Sequence, residues 1–194
     1  MRVKYDKVEF KASYGSLDQL PSPIYPEISF AGRSNAGKSS IMNKLFGRKS
    51  LVKVSSVPGK TANINFFETG GVWFVDLPGY GYAKVSKAEK KRWGELIEGY
   101  FSENRKFALV VLLVDIRLEA QELDIQMIDF LSQKGLPFVV ALTKADKISK
   151  SKRQQAMKLL GNQLGLTEDQ MIITSATTGE GVDKLKRKIE ESLI

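Results

Sequence analysis

The sequence contains no cysteine and no histidine among its 194 residues. Disulfide bridges, thiol nucleophiles, Cys/His zinc sites and imidazole general bases are therefore excluded, because each needs one of these two side chains. No apolar run reaches the roughly 20 residues that a membrane-spanning helix requires, and the residues after Met1 lack the apolar stretch of a signal peptide. We expect a cytoplasmic protein whose chemistry relies on carboxylates, lysine, arginine, hydroxyls, backbone amides or a bound metal.

The chain carries 30 basic and 22 acidic residues, which gives a net charge of +8. A basic surface favours polyanionic partners, although a coat of solvated lysines would give the same count. The basic residues are concentrated in three ranges, 33–60, 84–92 and 147–158, of which the first and the last contain no acidic residue. These ranges are the predicted contact surface for such a partner.

Apolar runs alternate with amphipathic helical patterns, which predicts an α/β fold in three layers with a mostly parallel, six-stranded sheet. Gly70 and Gly71, which lie between the apolar runs 63–68 and 72–75, predict a hairpin that places one antiparallel strand at an edge of the sheet. We expect a single domain over 1–194, with an N-terminal extension (1–25) and a core (26–194). The first 20 residues are compatible with a further edge strand or with loop. The predicted strands are 28–31, 63–68, 72–75, 108–114, 137–142 and 171–174, and the predicted helices are 39–46, 86–101, 122–134, 150–164 and 182–193.

One glycine-rich segment has the spacing of a phosphate-binding loop, G-x-x-x-x-G-K-S, and lies between a predicted strand and a predicted helix. Its glycines allow the backbone N–H groups to face phosphates, and the helix N-terminus adds positive potential. Lys38 would reach the β- and γ-phosphates, and the Ser39 hydroxyl would bind Mg²⁺. The nucleotide contacts predicted here are Gly32, Arg33, Ser34, Asn35, Ala36, Gly37, Lys38, Ser39 and Ser40.

Two further segments are expected near the terminal phosphate. Asp76 ends a predicted strand within a D-x-x-G motif, where its carboxylate can hold Mg²⁺ through water and the Gly79 N–H can meet a γ-phosphate; an ordinary turn is the alternative. Thr61 would add a second hydroxyl to Mg²⁺ when the γ-phosphate is present. We predict that Lys38, Thr61 and Gly79 act in hydrolysis. The contacts predicted in these segments are Pro58, Gly59, Lys60, Thr61, Asp76, Leu77, Pro78 and Gly79.

The last two motifs indicate which base is bound. Asp146, in T-K-x-D after a predicted strand, can accept hydrogen bonds from N1–H and N2–H₂ of guanine, whereas adenine has no matching pair of donors. An ATPase is therefore disfavoured. The Lys144 stem can lie along the purine, and a backbone N–H of the Ser175–Ala176 pair can meet guanine O6. The predicted base contacts are Thr143, Lys144, Ala145, Asp146, Thr174, Ser175 and Ala176.

With these motifs in this order, the sequence resembles the translation-factor-related P-loop GTPases, and within them the EngB/YihA/YsxC family of small bacterial GTPases. The most specific match is 75–86, V-D-L-P-G-Y-G-Y-A-K-V-S, and the resemblance covers nearly the whole chain. It implies a Ras-like G domain that binds GTP and GDP with Mg²⁺, slow hydrolysis, a role in late assembly of the large ribosomal subunit, and a link to cell division and septation. We expect a monomer that contacts the large subunit or its rRNA through the basic ranges. We do not expect it to bind DNA.

Tyr80 follows D-x-x-G at the position where Ras-type enzymes carry a glutamine that orients the attacking water. A tyrosine ring cannot do what an amide does there, so another group positions the water or a partner completes the site. Asn35 suggests a helper, because its side-chain carbonyl could hold K⁺ beside the phosphates, and relatives with this asparagine include potassium-activated GTPases. An asparagine that bonds within its own loop is the alternative.

Two other functions are compatible with the sequence. The chain could be a nucleotide-gated placeholder on ribosomal RNA whose hydrolysis is incidental. It could also be a scaffold at the division site that binds membrane or division proteins.

Overall fold

The computed structural model describes residues 1–53, 63–81 and 85–194. Within these ranges seven strands form one sheet in the order β1-β3-β4-β2-β5-β6-β7. The strands are β1 (Glu9–Tyr14), β2 (Glu27–Gly32), β3 (Ile64–Thr69), β4 (Val72–Asp76), β5 (Phe107–Asp115), β6 (Phe138–Thr143) and β7 (Met171–Ile173). The helices are α1 (Lys38–Leu45), α2 (Lys87–Ser102), α3 (Glu122–Gln133), α4 (Lys150–Leu164) and α5 (Val182–Ser192).

The sheet has seven strands and not the predicted six, because the N-terminal extension contributes β1. This strand pairs antiparallel with β3, with Ser13 opposite Asn65, and β3 is also antiparallel to β4. Among the seven described strands, β3 alone runs opposite to the others, which confirms the predicted antiparallel hairpin strand, but β1 and not β3 is the outermost strand at this edge. The sequence E-F-K-A-S-Y has no apolar run, and even Phe10 is half exposed. Its contribution is to pair with the backbone of β3 rather than to fill the core.

The other six strands are present, and each end lies within one residue of its predicted position. β4, β2, β5, β6 and β7 are parallel neighbours, so their carboxyl ends meet at one edge of the sheet. Both faces of β5 are covered, which explains its continuous apolar sequence. The strand order thus confirms the mostly parallel α/β sheet.

Two hydrophobic clusters separate the three layers. On one face α1 and α5 pack against the sheet, with side chains such as Met42 and Leu185 in the cluster. On the other face α2, α3 and α4 contribute side chains such as Tyr100, Leu131 and Leu160. None of the helices in the described ranges is long and apolar enough to cross a membrane.

A buried polar network attaches the C-terminal end of α2 to the start of β2. The Tyr100 hydroxyl donates to Glu27 Oε2 (2.7 Å) and lies 2.7 Å from Ser29 Oγ. Arg105 Nε donates to Glu27 Oε1 (2.8 Å), and both charged side chains are almost fully buried. Burial, followed by the charge of Glu27, raises the pKa of Tyr100 well above its usual value, so its hydroxyl stays protonated as a donor. This network lies at the end of β2 that is remote from Gly32.

Candidate nucleotide-binding site

The glycine-rich loop connects β2 to α1 in the strand–loop–helix arrangement that the motif requires. Asn35 (φ 64°) and Gly37 (φ 90°) adopt left-handed backbone conformations, which asparagine and glycine tolerate best. A Cβ atom at Gly32 would lie 2.9 Å from Leu113 O, so the loop begins tightly against β5. Since the first N–H groups of α1 have no acceptor inside the helix, the loop and helix start favour an anion.

The two charged residues predicted beside the Mg²⁺–phosphate group lie in contact. Lys38 Nζ forms an ion pair with Asp76 Oδ1, and both side chains are largely buried. Asn65 Nδ2 on β3 donates to the other carboxylate oxygen of Asp76 at 3.1 Å. Ser39 follows Lys38 on the first turn of α1, and its Oγ lies 3.4 Å from the Lys53 carbonyl oxygen. The ammonium, the carboxylate and the hydroxyl are thus brought to one end of the sheet.

The D-x-x-G segment is attached to the glycine-rich loop by backbone hydrogen bonds. Tyr80 N–H donates to Gly32 O (3.2 Å), and Ser34 N–H donates to Tyr80 O (2.7 Å). A Cβ atom at Gly79 would lie 3.3 Å from Ser34 Cα, which is tighter than most such contacts. Only a residue without a side chain therefore fits at Gly79 without displacement of the loop.

The T-K-x-D segment is attached to the same loop from the other side. Thr143 Oγ1 donates to Ala36 O (2.5 Å), and Lys144 Nζ donates to Asn35 O (2.6 Å). The same ammonium group pairs with Asp115 Oδ2 at 3.1 Å. The Lys144 side chain therefore extends from the end of β6 to the glycine-rich loop and ties the T-K-x-D segment to that loop.

Asp146 is oriented by the segment that follows β7. Ser175 Oγ donates to Asp146 Oδ1 (2.8 Å), and this hydrogen bond, with the nearby charges of Lys147 and Arg153, holds the pKa of Asp146 below its usual range. The carboxyl is thus an ionised acceptor at neutral pH. The Ser175 N–H donates to Glu180 O (3.0 Å), which leaves the Ala176 N–H as the donor that this pair can offer to guanine O6.

The structure brings together four of the predicted segments, 32–40, 76–79, 143–146 and 174–176, at the carboxyl ends of β2, β4, β6 and β7. This is the edge where ligands bind in open α/β sheets. The predicted contacts Pro58, Gly59, Lys60 and Thr61 lie outside the described residues, and their roles stay predictions.

Three further polar residues at the site were absent from the predicted set. Asp115 ends β5 and pairs with both Lys144 and Arg117. Burial raises its pKa, but the hydrogen bonds from Arg117 and Lys144 outweigh burial and leave the pKa low. Its place directly after an apolar run was a usable signal, because the other site residues share it. Asn65, which contacts Asp76, and Asp124, which contacts Tyr80, gave no such signal.

The residue types fit Mg²⁺ shared with a nucleotide rather than a protein-enclosed metal. Within 1–53, 63–81 and 85–194, no group of three or more acidic side chains could hold a metal ion by itself. One carboxylate (Asp76) and one hydroxyl (Ser39) near a phosphate-binding loop are what Mg²⁺ commonly uses, because substrate phosphates and water complete its shell.

Comparisons with known proteins agree with this geometry. Residues 27–144 match the family described as 50S ribosome-binding GTPase. The probable GTP-binding protein EngB of Syntrophomonas wolfei is 45% identical over 194 residues, which is 100% of both chains. A crystal structure of a probable GTP-binding protein EngB superposes with a TM-score of 0.73 at 29% identity, covering 86% of this chain and 98% of that one.

A more distant structure shares the fold alone. Era in complex with MgGDPNP and a segment of 16S ribosomal RNA has a TM-score of 0.66 at 21% identity, covering 88% of this chain and 57% of Era. GTPases of this kind generally use Mg²⁺. The 45% identity over the full length of both chains and the match of residues 27–144 to the GTPase family show the family: the chain is a GTPase and belongs to the EngB family of bacterial GTP-binding proteins.

Proposed function

We propose that this GTPase is a Mg²⁺-dependent molecular switch in late assembly of the large ribosomal subunit. The observation that carries the nucleotide part is the physical connection between base-reading and phosphate-binding segments through Thr143 and Lys144. The ribosomal part is supported by the description of the matched family as 50S ribosome-binding and by the net charge of +8.

In this proposal Lys38 exchanges its partner when nucleotide binds. Its ammonium group, paired with Asp76 in the structure, would turn to the β- and γ-phosphates, and Asp76 would then be free to hold Mg²⁺ through water. Ser39 would bind the metal directly, with Thr61 joining when a γ-phosphate is present. The metal ion supplies charge stabilisation to the phosphates. Because phosphoryl transfer depends on positioning and electrostatics, no general base is needed among these residues.

Asp146 and Gly79 would set the two specificities of the site. The ionised carboxylate of Asp146, oriented by Ser175, would accept two hydrogen bonds from guanine and none from adenine. The Gly79 N–H would distinguish GTP from GDP, because only GTP has the γ-phosphate that it would meet. Gly79 packs on Ser34 of the phosphate-binding loop, which places it near that group.

The basic ranges provide the proposed contact surface for ribosomal RNA. In the first range Lys44, Arg48, Lys49 and Lys53 are exposed. In the second, Lys91 is highly exposed although Glu95 lies 3.8 Å away. These two ranges flank the segments that contain Thr61 and Asp76, so a γ-phosphate-dependent change there would alter the presentation of positive charge. Lys60 and Lys84 lie outside the described residues.

Turnover measurements test the proposed function. We expect hydrolysis of GTP and not of ATP, and we expect purified large ribosomal subunits to raise the GTP rate while small subunits leave it unchanged. A GTP rate that is the same with and without large subunits would contradict the ribosomal switch. Support of subunit assembly by a hydrolysis-blocked variant would favour the placeholder alternative, and binding to anionic vesicles but not to subunits would favour a scaffold. The link to division, the cytoplasmic location and the monomeric state stay predictions.

Asn35 is the proposed site of potassium activation. Its backbone oxygen accepts from Lys144, and its side chain forms no hydrogen bond with another described residue, so the alternative of a loop-bonded side chain lacks support. We expect hydrolysis about ten-fold faster in KCl than in NaCl at equal ionic strength. Asn35→Gly should abolish the difference in rate between KCl and NaCl, because glycine tolerates the backbone conformation at φ 64° but lacks the side-chain carbonyl that would hold K⁺. Equal rates in the two salts would contradict the proposal.

A further inference from the structure

The side chain of Tyr80 forms a hydrogen bond with α3. Its hydroxyl donates to Asp124 Oδ1 at 2.8 Å, and burial raises the pKa of Tyr80 well above its usual value, so the proton stays on the phenol. Asp124 is the third residue of α3 and is almost fully buried. The residue after D-x-x-G is therefore engaged with α3 and not available to orient water.

A buried carboxylate is costly unless its surroundings compensate for it. Burial raises the pKa of Asp124, while the Tyr80 hydroxyl and the charge of Arg33 oppose this rise. The Arg33 Nε is itself buried and has no hydrogen-bond partner among the described residues. An apolar side chain at position 124 would avoid this cost, so the acidic residue has to be explained by the group that it holds.

Tyr80 is also fixed along its backbone. Its N–H and its carbonyl oxygen bond to Gly32 and Ser34 of the phosphate-binding loop. The next residue, Gly81, has φ 79°, and a Cβ atom there would lie 3.2 Å from both Arg33 Nε and Leu123 Cδ1. The chain is thus constrained immediately after Gly79, from the loop on one side and from α3 on the other.

We propose that Asp124 is a positioning residue for GTP hydrolysis, which acts through the Tyr80 hydroxyl to hold the Gly79 N–H toward the γ-phosphate. The inference rests on the proposed role of Gly79. It explains why tyrosine can stand where related enzymes carry glutamine: Tyr80 braces the segment that senses the γ-phosphate and does not contact the water. GDP binding is independent of this brace, because GDP has no γ-phosphate.

The test compares Tyr80→Phe, Asp124→Ala and Asp124→Asn in the isolated protein. For the first two variants we expect kcat to fall about ten-fold and the preference for a non-hydrolysable GTP analogue over GDP to fall by a similar factor, with GDP affinity unchanged. Asp124→Asn should retain much of the parent kcat and of the preference for the GTP analogue, because the asparagine side-chain oxygen can still accept a hydrogen bond from Tyr80. The double variant of Tyr80→Phe and Asp124→Ala should be no worse than either single variant.

Two reference variants separate the possible outcomes. Tyr5→Phe removes another largely buried hydroxyl, which bonds to Lys186 O far along the chain, and should leave all these parameters unchanged. Gly79→Ala should lower the preference for the triphosphate. If Gly79→Ala lowers this preference and Tyr80→Phe does not, the inference about Asp124 fails while the role of Gly79 stands. If neither variant lowers the preference, the inference and the role of Gly79 both fail.

Equal losses of GTP and GDP affinity in Tyr80→Phe, with a lower melting temperature, would show a structural role and overturn the inference. Tyr80→Phe removes a single oxygen atom, so it keeps the test decisive even if Asp124→Ala does not fold.

Discussion

Asp146→Asn is expected to bind GTP about 1000-fold more weakly than the parent chain and to bind xanthosine triphosphate more tightly. Each hydrogen bond to a charged group contributes about 1.5–3 kcal/mol, so the loss of two such bonds corresponds to roughly 10²–10⁴ in affinity. Xanthine has a carbonyl where guanine has its amino group, and the asparagine amide can donate to it. Titration calorimetry with GTP, XTP and ATP measures the change directly.

The structure adds a pH dependence to this prediction. The hydrogen bond from Ser175 keeps the pKa of Asp146 below its usual range, so the carboxylate should remain ionised, and the preference for guanine constant, at all values above about pH 5. Protonation at lower pH should weaken GTP binding. A loss of guanine preference between pH 5 and 8 would contradict this assignment.

Asp169→Asn is the matched control for Asp146→Asn. Asp169 is exposed and its pKa is also lowered, in this case by the Thr167 hydroxyl, but it lies on the turn before β7 and outside the predicted site. We expect this variant to bind GTP like the parent chain. A similar loss of GTP affinity in both variants would indicate a general effect of charge and not recognition of guanine.

Lys38→Ala is expected to lower GTP hydrolysis by about 1000-fold or more. Removal of one donor to a developing negative charge commonly costs 10²–10³ in rate, and a lysine supplies a full charge to two phosphates. Single-turnover assays with excess protein measure the rate without interference from weak binding. Lys44→Ala, which changes an exposed lysine six residues further along α1, is the matched control and should retain the parent rate. Near-parent hydrolysis in Lys38→Ala would exclude the assigned role.

Lys38→Ala should also reduce stability, because Asp76 loses its cationic partner and retains the hydrogen bond from Asn65. We expect a loss of about 1–3 kcal/mol in the free energy of unfolding. Adding Asp76→Asn should restore part of this stability but none of the hydrolysis. Comparison of urea denaturation with turnover for the single and double variants separates the structural contribution of the ion pair from its part in catalysis.

The predictable parts of the fold are those whose burial is continuous along the chain. β5 is covered on both faces, so its apolar run could be recognised without knowledge of its neighbours. The glycine-rich loop could be located because glycine spacing, strand and helix are all local properties. Asp76 could be singled out because it directly follows such a run, and Asp146 because its T-K-x-D motif begins where another such run ends.

The parts that could not be predicted depend on contacts between distant segments. β1 is largely exposed, and the sequence left it open as strand or loop; it is a strand because β3 offers it a backbone to pair with, which no pattern within E-F-K-A-S-Y reveals. In the sequence, Asp124 is an acidic residue in the first turn of a predicted helix, which is a common position for one. Only the three-dimensional structure shows that it is buried against Tyr80. The link from Lys144 to Asn35 likewise joins residues more than one hundred positions apart.

The attachment of α2 at Glu27 and Arg105 has a mechanical consequence. With Tyr100 anchored to β2 and Arg92 Nη1 donating to Gly15 O at 3.2 Å, α2 is held from its second turn onward, and a pull from the Gly79 segment would act on the residues before Arg92. The displacement would grow with distance from Arg92 and be largest at the exposed lysines of the first two turns, Lys87, Lys90 and Lys91. Hydrolysis of one phosphate bond would therefore move positive charges at the surface that contacts a bound polyanion.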